Sequence, residues 1–518
     1  MDRKALILLI PALLLLFVGT FDHSLWTPDE PRVAEISRVM AASGDYLIPE
    51  LSGRPFLEQP PLYYAVAGVF WHIFGTGNEG FGRLASVLFA AGTLLIVFFG
   101  TKALYSAHAA ALSALVLATT GDYFLMTHKM VVDNALVFFI TAALFCFVLA
   151  YRGVLGKGYV LFWICLAGAF LTKGIIGIAI PGAGAAIFIL WQKDPAMIKK
   201  AWVVPGILLV VMAMLAWAWG LYLRGGKDFL STFFLYNNLG RFASQGIYRG
   251  GHINPFYYYL YTVLLNGLPW SIALIAALIA GWKPDERLRF FCSWFFGGLV
   301  LLSIASTKRG LYFLPMYPAM AVIAGQWLSG MANREPATWE KIVLRGLLAV
   351  LVVLAMAVPA GYVKIGGSLP AAVAVFFVAA GLFLAYRTAA RSLPEWLPAG
   401  FAVLFLSWST PLFLQVDTLK TYEPFFRQAG RIVGQEKVIG YNLTETVEAF
   451  SPFYGGFPVN SIEDKKRYEQ MVLSRSFRYV LVERPDPELM KIIGPRGEKL
   501  LATTGRERKE LQLWRLSR

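Results

Sequence analysis

Cysteine, histidine and charge are all scarce in this chain, and each scarcity closes off a class of protein. There are three cysteines in 518 residues. Cys146, Cys165 and Cys292 each lie inside an apolar run, where a free thiol behaves as a small hydrophobe, so no disulfide framework is implied. Only five histidines occur and none follows His252; a metal site needing a later histidine cannot be completed. Charged residues make up 15% of the chain, against about 25% in soluble domains. Internal repeats and low-complexity tracts are also absent.

What is abundant is apolar sequence, 57% of all residues. Runs near the length of a membrane span recur at 5–21, 62–75, 83–100, 105–121, 134–151, 158–171, 174–192, 202–223, 257–281, 288–304, 311–329, 342–363, 370–387 and 397–414. The pattern is that of an all-α, polytopic membrane protein. The first run is too long, and too poor in a cleavage site, for a removed signal peptide. The net charge of +15 fits basic cytoplasmic loops and anionic lipid; with no basic soluble domain or motif, no nucleic-acid partner is expected.

The segment 62–75 is short, preceded by prolines and interrupted by Tyr63, Tyr64 and His72. It reads as interfacial rather than spanning. Thirteen spans then remain, the amino terminus lies inside, and the basic loops around Lys102, Arg152, Lys193, Arg287, Arg334 and Arg387 face the cytoplasm, as positive-inside charge bias requires. The same choice puts Asp29, Asp133 and His252 on one outer face, with Lys308 beside them. Residues 1–414 form the transmembrane unit, with an outer loop and juxtamembrane helices over about 22–81. Residues 415–518 carry more charge and shorter apolar runs, such as Lys437–Tyr441 and Phe477–Val482, with a charged, helix-like stretch over 461–474. That alternation predicts a small α/β domain, which thirteen spans leave on the outer side. Asn442-Leu443-Thr444 matches a glycosylation sequon, a motif short enough to arise by chance.

A set of outward basic residues runs against the charge bias: Arg32, Arg38 and Arg54 in the first loop, Lys129, Lys173, Arg224, Lys227, Arg241, Arg249, Lys308 and Arg309. A phosphate at the membrane surface would retain them, because Arg and Lys bind it by charge-assisted hydrogen bonds. The plainer alternative for each is snorkelling to head groups. Among the acids, Asp29 and Glu30 stand together in Pro28-Asp29-Glu30-Pro31-Arg32, directly after the first apolar run. Two carboxylates and a guanidinium are costly there unless they work; a helix cap would account for one of them. Asp133 opens an apolar helix, where a first-turn role is the competing explanation.

Read together, these residues resemble the lipid A aminoarabinose transferases and the wider protein-mannosyltransferase-like group with the C-type glycosyltransferase (GT-C) fold. The resemblance is carried by Trp26-Thr27-Pro28-Asp29-Glu30-Pro31-Arg32-Val33-Ala34-Glu35-Ile36-Ser37-Arg38, by Leu171-Thr172-Lys173-Gly174, by His252 with Pro255-Phe256-Tyr257-Tyr258, by Gly267-Leu268-Pro269-Trp270, and by Lys308 with Tyr312. It implies an integral inner-membrane glycosyltransferase that moves a sugar from a polyprenyl (undecaprenyl) monophosphate carrier to lipid A or another glycolipid or glycan. It further implies catalytic roles for Asp29, Asp133 and Glu30. The donor phosphate would lie near Arg32, Arg54, Gln59, Arg241, Lys308 and Tyr312, and Glu58 and His252 would match two positions of a divalent metal site. The family has Glu-Lys-Pro where this chain has Glu58-Gln59-Pro60, which removes one cation from the phosphate's surroundings.

The residues themselves ask for the same chemistry. A lipid-phosphate sugar carries its own leaving group, so a base for the acceptor hydroxyl and positive charge for the departing phosphate suffice. The alternatives are a protein O-glycosyltransferase acting on Ser or Thr, and, from another class, a transporter or flippase of lipid-linked sugars. The latter would show paired, broken helices in corresponding halves, and none is evident in the sequence.

Overall fold

The computed structural model describes residues 3–240, 252–281, 284–331, 334–364, 393–474, 476–504 and 510–517. Arg241, Arg249, Arg387 and the apolar segment 370–387 lie outside the described residues. Within them the chain is a bundle of apolar helices followed by a small α/β region.

The described part of the bundle is less regular than a row of straight spans. Among the described residues five helices are long and apolar enough to cross a membrane, or up to eight if each of three bent pairs counts as one span. Three further apolar helices, Ala5–Phe17, Leu62–Phe74 and Gly158–Lys173, are shorter than that length, and other apolar runs are broken where periodicity does not reveal it. Ala107–Ala118 and Gly121–Thr127 meet at 70°, and Tyr258–Asn266 and Trp270–Ala280 meet at 109°. These two breaks face each other. The Gly121 N–H donates to the Leu268 carbonyl at 2.9 Å, and Trp270 Nε1–H donates to Thr119 Oγ1 at 2.8 Å. Each thereby supplies polar partners that an interrupted helix needs in an apolar setting. Close helix contacts rest on small residues: a Cβ at Gly325 would come within 2.6 Å of the Ser113 backbone nitrogen.

The first outer loop is largely structured. Glu30–Ser43 is helical and ends at Gly44, whose φ of 71° only glycine takes readily. A two-stranded hairpin, β1 (Glu50–Leu51) and β2 (Arg54–Pro55), turns at Ser52 and Gly53, both with positive φ, the conformation that a two-residue hairpin turn favours. Pro60 and Pro61 then lead into the Leu62–Phe74 helix. At 13 residues it is about 20 Å long, short of a ~30 Å hydrocarbon core. It packs across the preceding loop helix at Gly68, where a Cβ would meet the Ser37 carbonyl at 3.0 Å.

The last bundle helix runs to Lys420, six residues past the expected boundary at 414. Beyond it lies a five-stranded sheet, ordered β4-β3-β5-β7-β6, where β3 is Val438–Tyr441, β4 Val459–Ile462, β5 Tyr479–Glu483, β6 Gly497–Thr504 and β7 Glu510–Leu516. The first three are parallel and helix-connected, and the last two form an antiparallel hairpin on the edge. β3, β5 and the 465–473 helix fall where the sequence places them; β4, which takes in the first two residues of the stretch read as helical, and the β6–β7 hairpin are not foreshadowed. This region is joined to the first loop by one apolar cluster. Leu25, Val33 and Ile36 share it with Phe426, Phe450 and Tyr454. Polar ties accompany it: Trp26 Nε1–H donates to Asp417 Oδ1 at 2.6 Å, and Thr446 Oγ1–H donates to the Pro28 carbonyl at 3.0 Å.

Candidate active site

The first-loop helix begins at Glu30, with Asp29 in the capping position but its carboxylate making no capping bond. Capping therefore does not explain Asp29. Its side chain turns to two guanidiniums instead. Arg309 donates through Nη1 at 3.0 Å and through Nη2 to the other carboxylate oxygen, and Arg32 Nη2 donates at 3.1 Å.

Asp29 stands in the walls of two neighbouring cavities. The first, about 240 Å³, is lined by Asp29, Arg32, Glu58, Gln59, Asp133, Lys173, His252, Thr307, Arg309 and Tyr312. Nine of the residues singled out from sequence thus converge here from six separate stretches: Asp29, Arg32, Glu58, Gln59, Asp133, Lys173, His252, Arg309 and Tyr312. Three acids face three cations. Asp133, in the first turn of the 133–151 helix, pairs with Lys173, whose Nζ also lies 4.5 Å from the centre of the Tyr312 ring. Arg32 Nη1 lies 3.8 Å from Glu58 and pairs with Glu445 of the α/β region. The second cavity, about 330 Å³, shares Asp29, His252 and Arg309 and adds Asp122, Lys129, Asn254, Asn266 and Lys308.

Burial, the largest influence on Asp29, pushes its carboxyl up; the bond and charge of Arg309, with the charges of Arg32 and Lys173, outweigh it and hold the group below the ordinary aspartate range. Burial likewise acts to lower Arg32, and the charges of Glu445 and Glu58 overcome it, so the guanidinium stays charged. Resting Asp29 is therefore an ionised but well-satisfied carboxylate.

Four expectations are corrected. Glu30 is held as a structural carboxylate: its side chain is fully buried, with Arg83 Nε donating to it at 2.7 Å, Met130 N–H at 3.1 Å and Trp26 N–H at 2.8 Å. Arg83 in turn donates to the carbonyls of Thr20, His23 and Ser24. This network builds the loop's base and commits both Glu30 oxygens to protein donors, although the residue also stands in the wall of the second cavity. Arg54 lines neither cavity around Asp29; it sits in a separate groove and pairs with Glu448 of the α/β region at 2.6 Å. Lys308 lines the second cavity, but its ammonium is bound to the carbonyls of Asn254, at 3.1 Å, and Ala305, so it stitches the 252–254 and 305–308 segments together rather than standing free for phosphate. Finally, Glu58 and His252 gain no third ligand: among the described residues no group of three His, Cys, Asp or Glu could hold a metal ion, and Glu58 lies beside Arg32. The donor set does not fit a metal.

Arg309, Lys173 and Glu445 take part without being individually marked by the family resemblance as site residues. The first two carry a signal, being cations on the outer side; nothing local marks Glu445.

A family profile described as dolichyl-phosphate-mannose-protein mannosyltransferase matches residues 58–219. The undecaprenyl phosphate-alpha-4-amino-4-deoxy-L-arabinose arabinosyl transferase of Pectobacterium carotovorum subsp. carotovorum is 31% identical over 340 residues, 64% of this chain and 60% of that protein. An uncharacterized protein of Aquifex aeolicus is 31% identical over 64% of this chain and 74% of its own length. The chain spans about three-fifths of the arabinosyl transferases it matches first. In three dimensions it is similar to the crystal structure of ArnT from Cupriavidus metallidurans bound to undecaprenyl phosphate, with a TM-score of 0.79 at 20% identity, covering 99% of this chain and 98% of that one. It also resembles the Archaeoglobus fulgidus oligosaccharyltransferase in its apo form, with a TM-score of 0.54 at 11% identity, covering 93% and 70% of the two chains. The chain belongs to the aminoarabinose transferase-like, protein-mannosyltransferase-related family of multi-pass membrane proteins with the GT-C fold.

Proposed function

We propose that this protein transfers a sugar from a polyprenyl monophosphate carrier to a lipid acceptor, lipid A or a related glycolipid, at the periplasmic face of the inner membrane. One observation carries the reading: Asp29 lies between two cavities and is gripped by cations suited to phosphate. The names of the relatives, which act from undecaprenyl phosphate-linked aminoarabinose, support the donor class. Thirteen crossings with the α/β region outside keep the basic loops in the cytoplasm and belong to the same proposal.

The donor's phosphate and sugar occupy the first cavity, where Arg32, Lys173 and Arg309 gather. The acceptor hydroxyl approaches from the second cavity, whose wall includes Lys129, Asn254 and Asn266. Phosphate competes with Asp29 for Arg309. As Arg309 turns to the phosphate, Asp29 loses its strongest stabilising partner while staying buried, and its basicity rises. It then takes the hydroxyl proton as the new glycosidic bond forms, a contribution of about a hundred- to ten-thousand-fold. The bond between the sugar and the carrier phosphate breaks, with its electron pair passing to the phosphate oxygen, and Arg32, Arg309 and Lys173 stabilise the developing charge. Attack from the face opposite the leaving group inverts the anomeric centre. Asp133 holds Lys173 in place. The metal-assisted variant is set aside on the ligand set, and no step passes through an ion.

The test is transfer from a synthetic polyprenyl phosphate sugar, in detergent, to lipid A. Carrier binding without any glycosylated product, together with movement of the donor across vesicles, would instead favour the flippase reading; transfer to a Ser/Thr peptide would favour the protein O-glycosyltransferase.

A further inference from the structure

The α/β region touches the wall of the site where Glu445, which lines the groove shared with Arg54, pairs with Arg32. Glu445 opens the short 445–450 helix, and the turn before it is fixed: Thr444 donates its N–H at 2.7 Å and its hydroxyl at 3.0 Å to Glu483 at the end of β5. Its neighbour Thr446 bonds the Pro28 carbonyl, next to Asp29. The carboxylate of Glu445 is thereby held against Arg32 Nη1, while Nη2 faces Asp29 and Nε, buried, has no hydrogen-bond partner among the described residues.

Arg32 thus faces three carboxylates, and they are not equivalent. Asp29 and Glu58 have side chains 20% exposed, whereas Glu445 is 46% exposed. A half-exposed carboxylate loses the least when its ion pair opens, because water resolvates it. It is also the one partner that the membrane unit does not supply. An incoming phosphate therefore displaces Glu445 at lower cost than Asp29, while Glu58, at 3.8 Å, is already beyond hydrogen-bond reach of the guanidinium.

We propose that Glu445 is the resting counterion of Arg32, a positioning residue whose place the donor phosphate takes, so that the α/β region sets donor affinity. This rests on the donor class proposed above. Removing the charge leaves Arg32 short of one competitor, and phosphate binding tightens. A single exposed ion pair corresponds to about a two- to fivefold change. A purely structural Glu445 would act in the opposite sense, since loss of its contact would loosen Arg32 and weaken binding.

The experiment measures binding of undecaprenyl phosphate alone to the full-length protein in detergent, for wild type, Glu445→Gln and Glu445→Asp, followed by donor KM and kcat for the same three. The expected result is binding about two- to fivefold tighter for Glu445→Gln, near-wild-type binding for the charge-retaining Glu445→Asp, and a lower donor KM as the main kinetic change. Wild-type binding that is unchanged or weakened in Glu445→Gln overturns the counterion role and leaves the donor class standing. No binding by wild type overturns both.

Discussion

Arg309 grips both carboxylate oxygens of Asp29 across a separation of 280 residues. The contact joins the first outer loop to the loop before the 310–316 turn and sets the protonation behaviour of the residue assigned as base.

That contact gives a pH dependence with a defined sign. Burial alone would raise the Asp29 carboxyl; Arg309 is the leading influence that brings it down. Activity from the free enzyme therefore persists below the ordinary aspartate range and is lost as pH falls through the lowered value. The ion pair's contribution to stability follows the same course, present above the unfolded aspartate's pKa and lost on the acid side. In Arg309→Gln the acid limb of kcat/KM moves to higher pH and donor KM rises; the rate profile measured over the acid range checks both. An unmoved limb would separate Asp29 from the titration.

Arg83 and Glu30 are expected to govern folding rather than chemistry. The pair is fully buried and its remaining hydrogen bonds are filled by backbone groups, and removing one partner of such a pair costs about 3–5 kcal/mol. Arg83→Met lowers the thermal unfolding midpoint and the yield of folded protein, measured in detergent. A stable, inactive Arg83→Met would point instead to a role in the reaction.

Arg54 is expected to leave donor handling unaltered, because it pairs with Glu448 away from both cavities. Arg54→Gln strips a buried carboxylate of its partner and loosens the α/β region from the hairpin by about 1–3 kcal/mol. Limited proteolysis after residue 420 accelerates, while donor KM stays within about twofold, a change of less than 0.5 kcal/mol.

Gly325 gives a packing test. Its neighbour across the helix interface is the Ser113 backbone, 2.6 Å from where a Cβ would stand, and a backbone cannot rotate away. Gly325→Val is expected to destabilise by about 1–3 kcal/mol, seen as a lower unfolding midpoint without a selective change in donor KM.

Much of the site is readable from the sequence because charge in an apolar chain is conspicuous. Asp29, Arg32, Glu58 and Asp133 stand out for that reason and do converge. Which of two adjacent cations turns inward is not readable: Lys308 and Arg309 sit in an irregular segment, and only folding decides that Lys308 binds carbonyls while Arg309 binds Asp29. Glu30 misleads because a carboxylate beside a catalytic one looks the same in sequence whether it meets substrate or Arg83. Glu445 is invisible because its partner lies 413 residues away. The helix type of the bundle follows from composition, but its breaks at 119–120 and 267–269 depend on mutual hydrogen bonds between distant segments. In the α/β region, β3 and β5 are foreshadowed by short apolar runs; the region's docking on the first loop is not.

Asp29→Asn tests the central claim most directly. The variant keeps the shape of the side chain and removes the base, and its insertion and unfolding midpoint are measured beside transfer from a polyprenyl phosphate sugar. The expected result is normal insertion with transfer reduced by a hundredfold or more, roughly the lower bound for a general base. Transfer at the wild-type rate by a correctly inserted Asp29→Asn protein would contradict the assignment of Asp29 and, with it, the mechanism built on the two cavities.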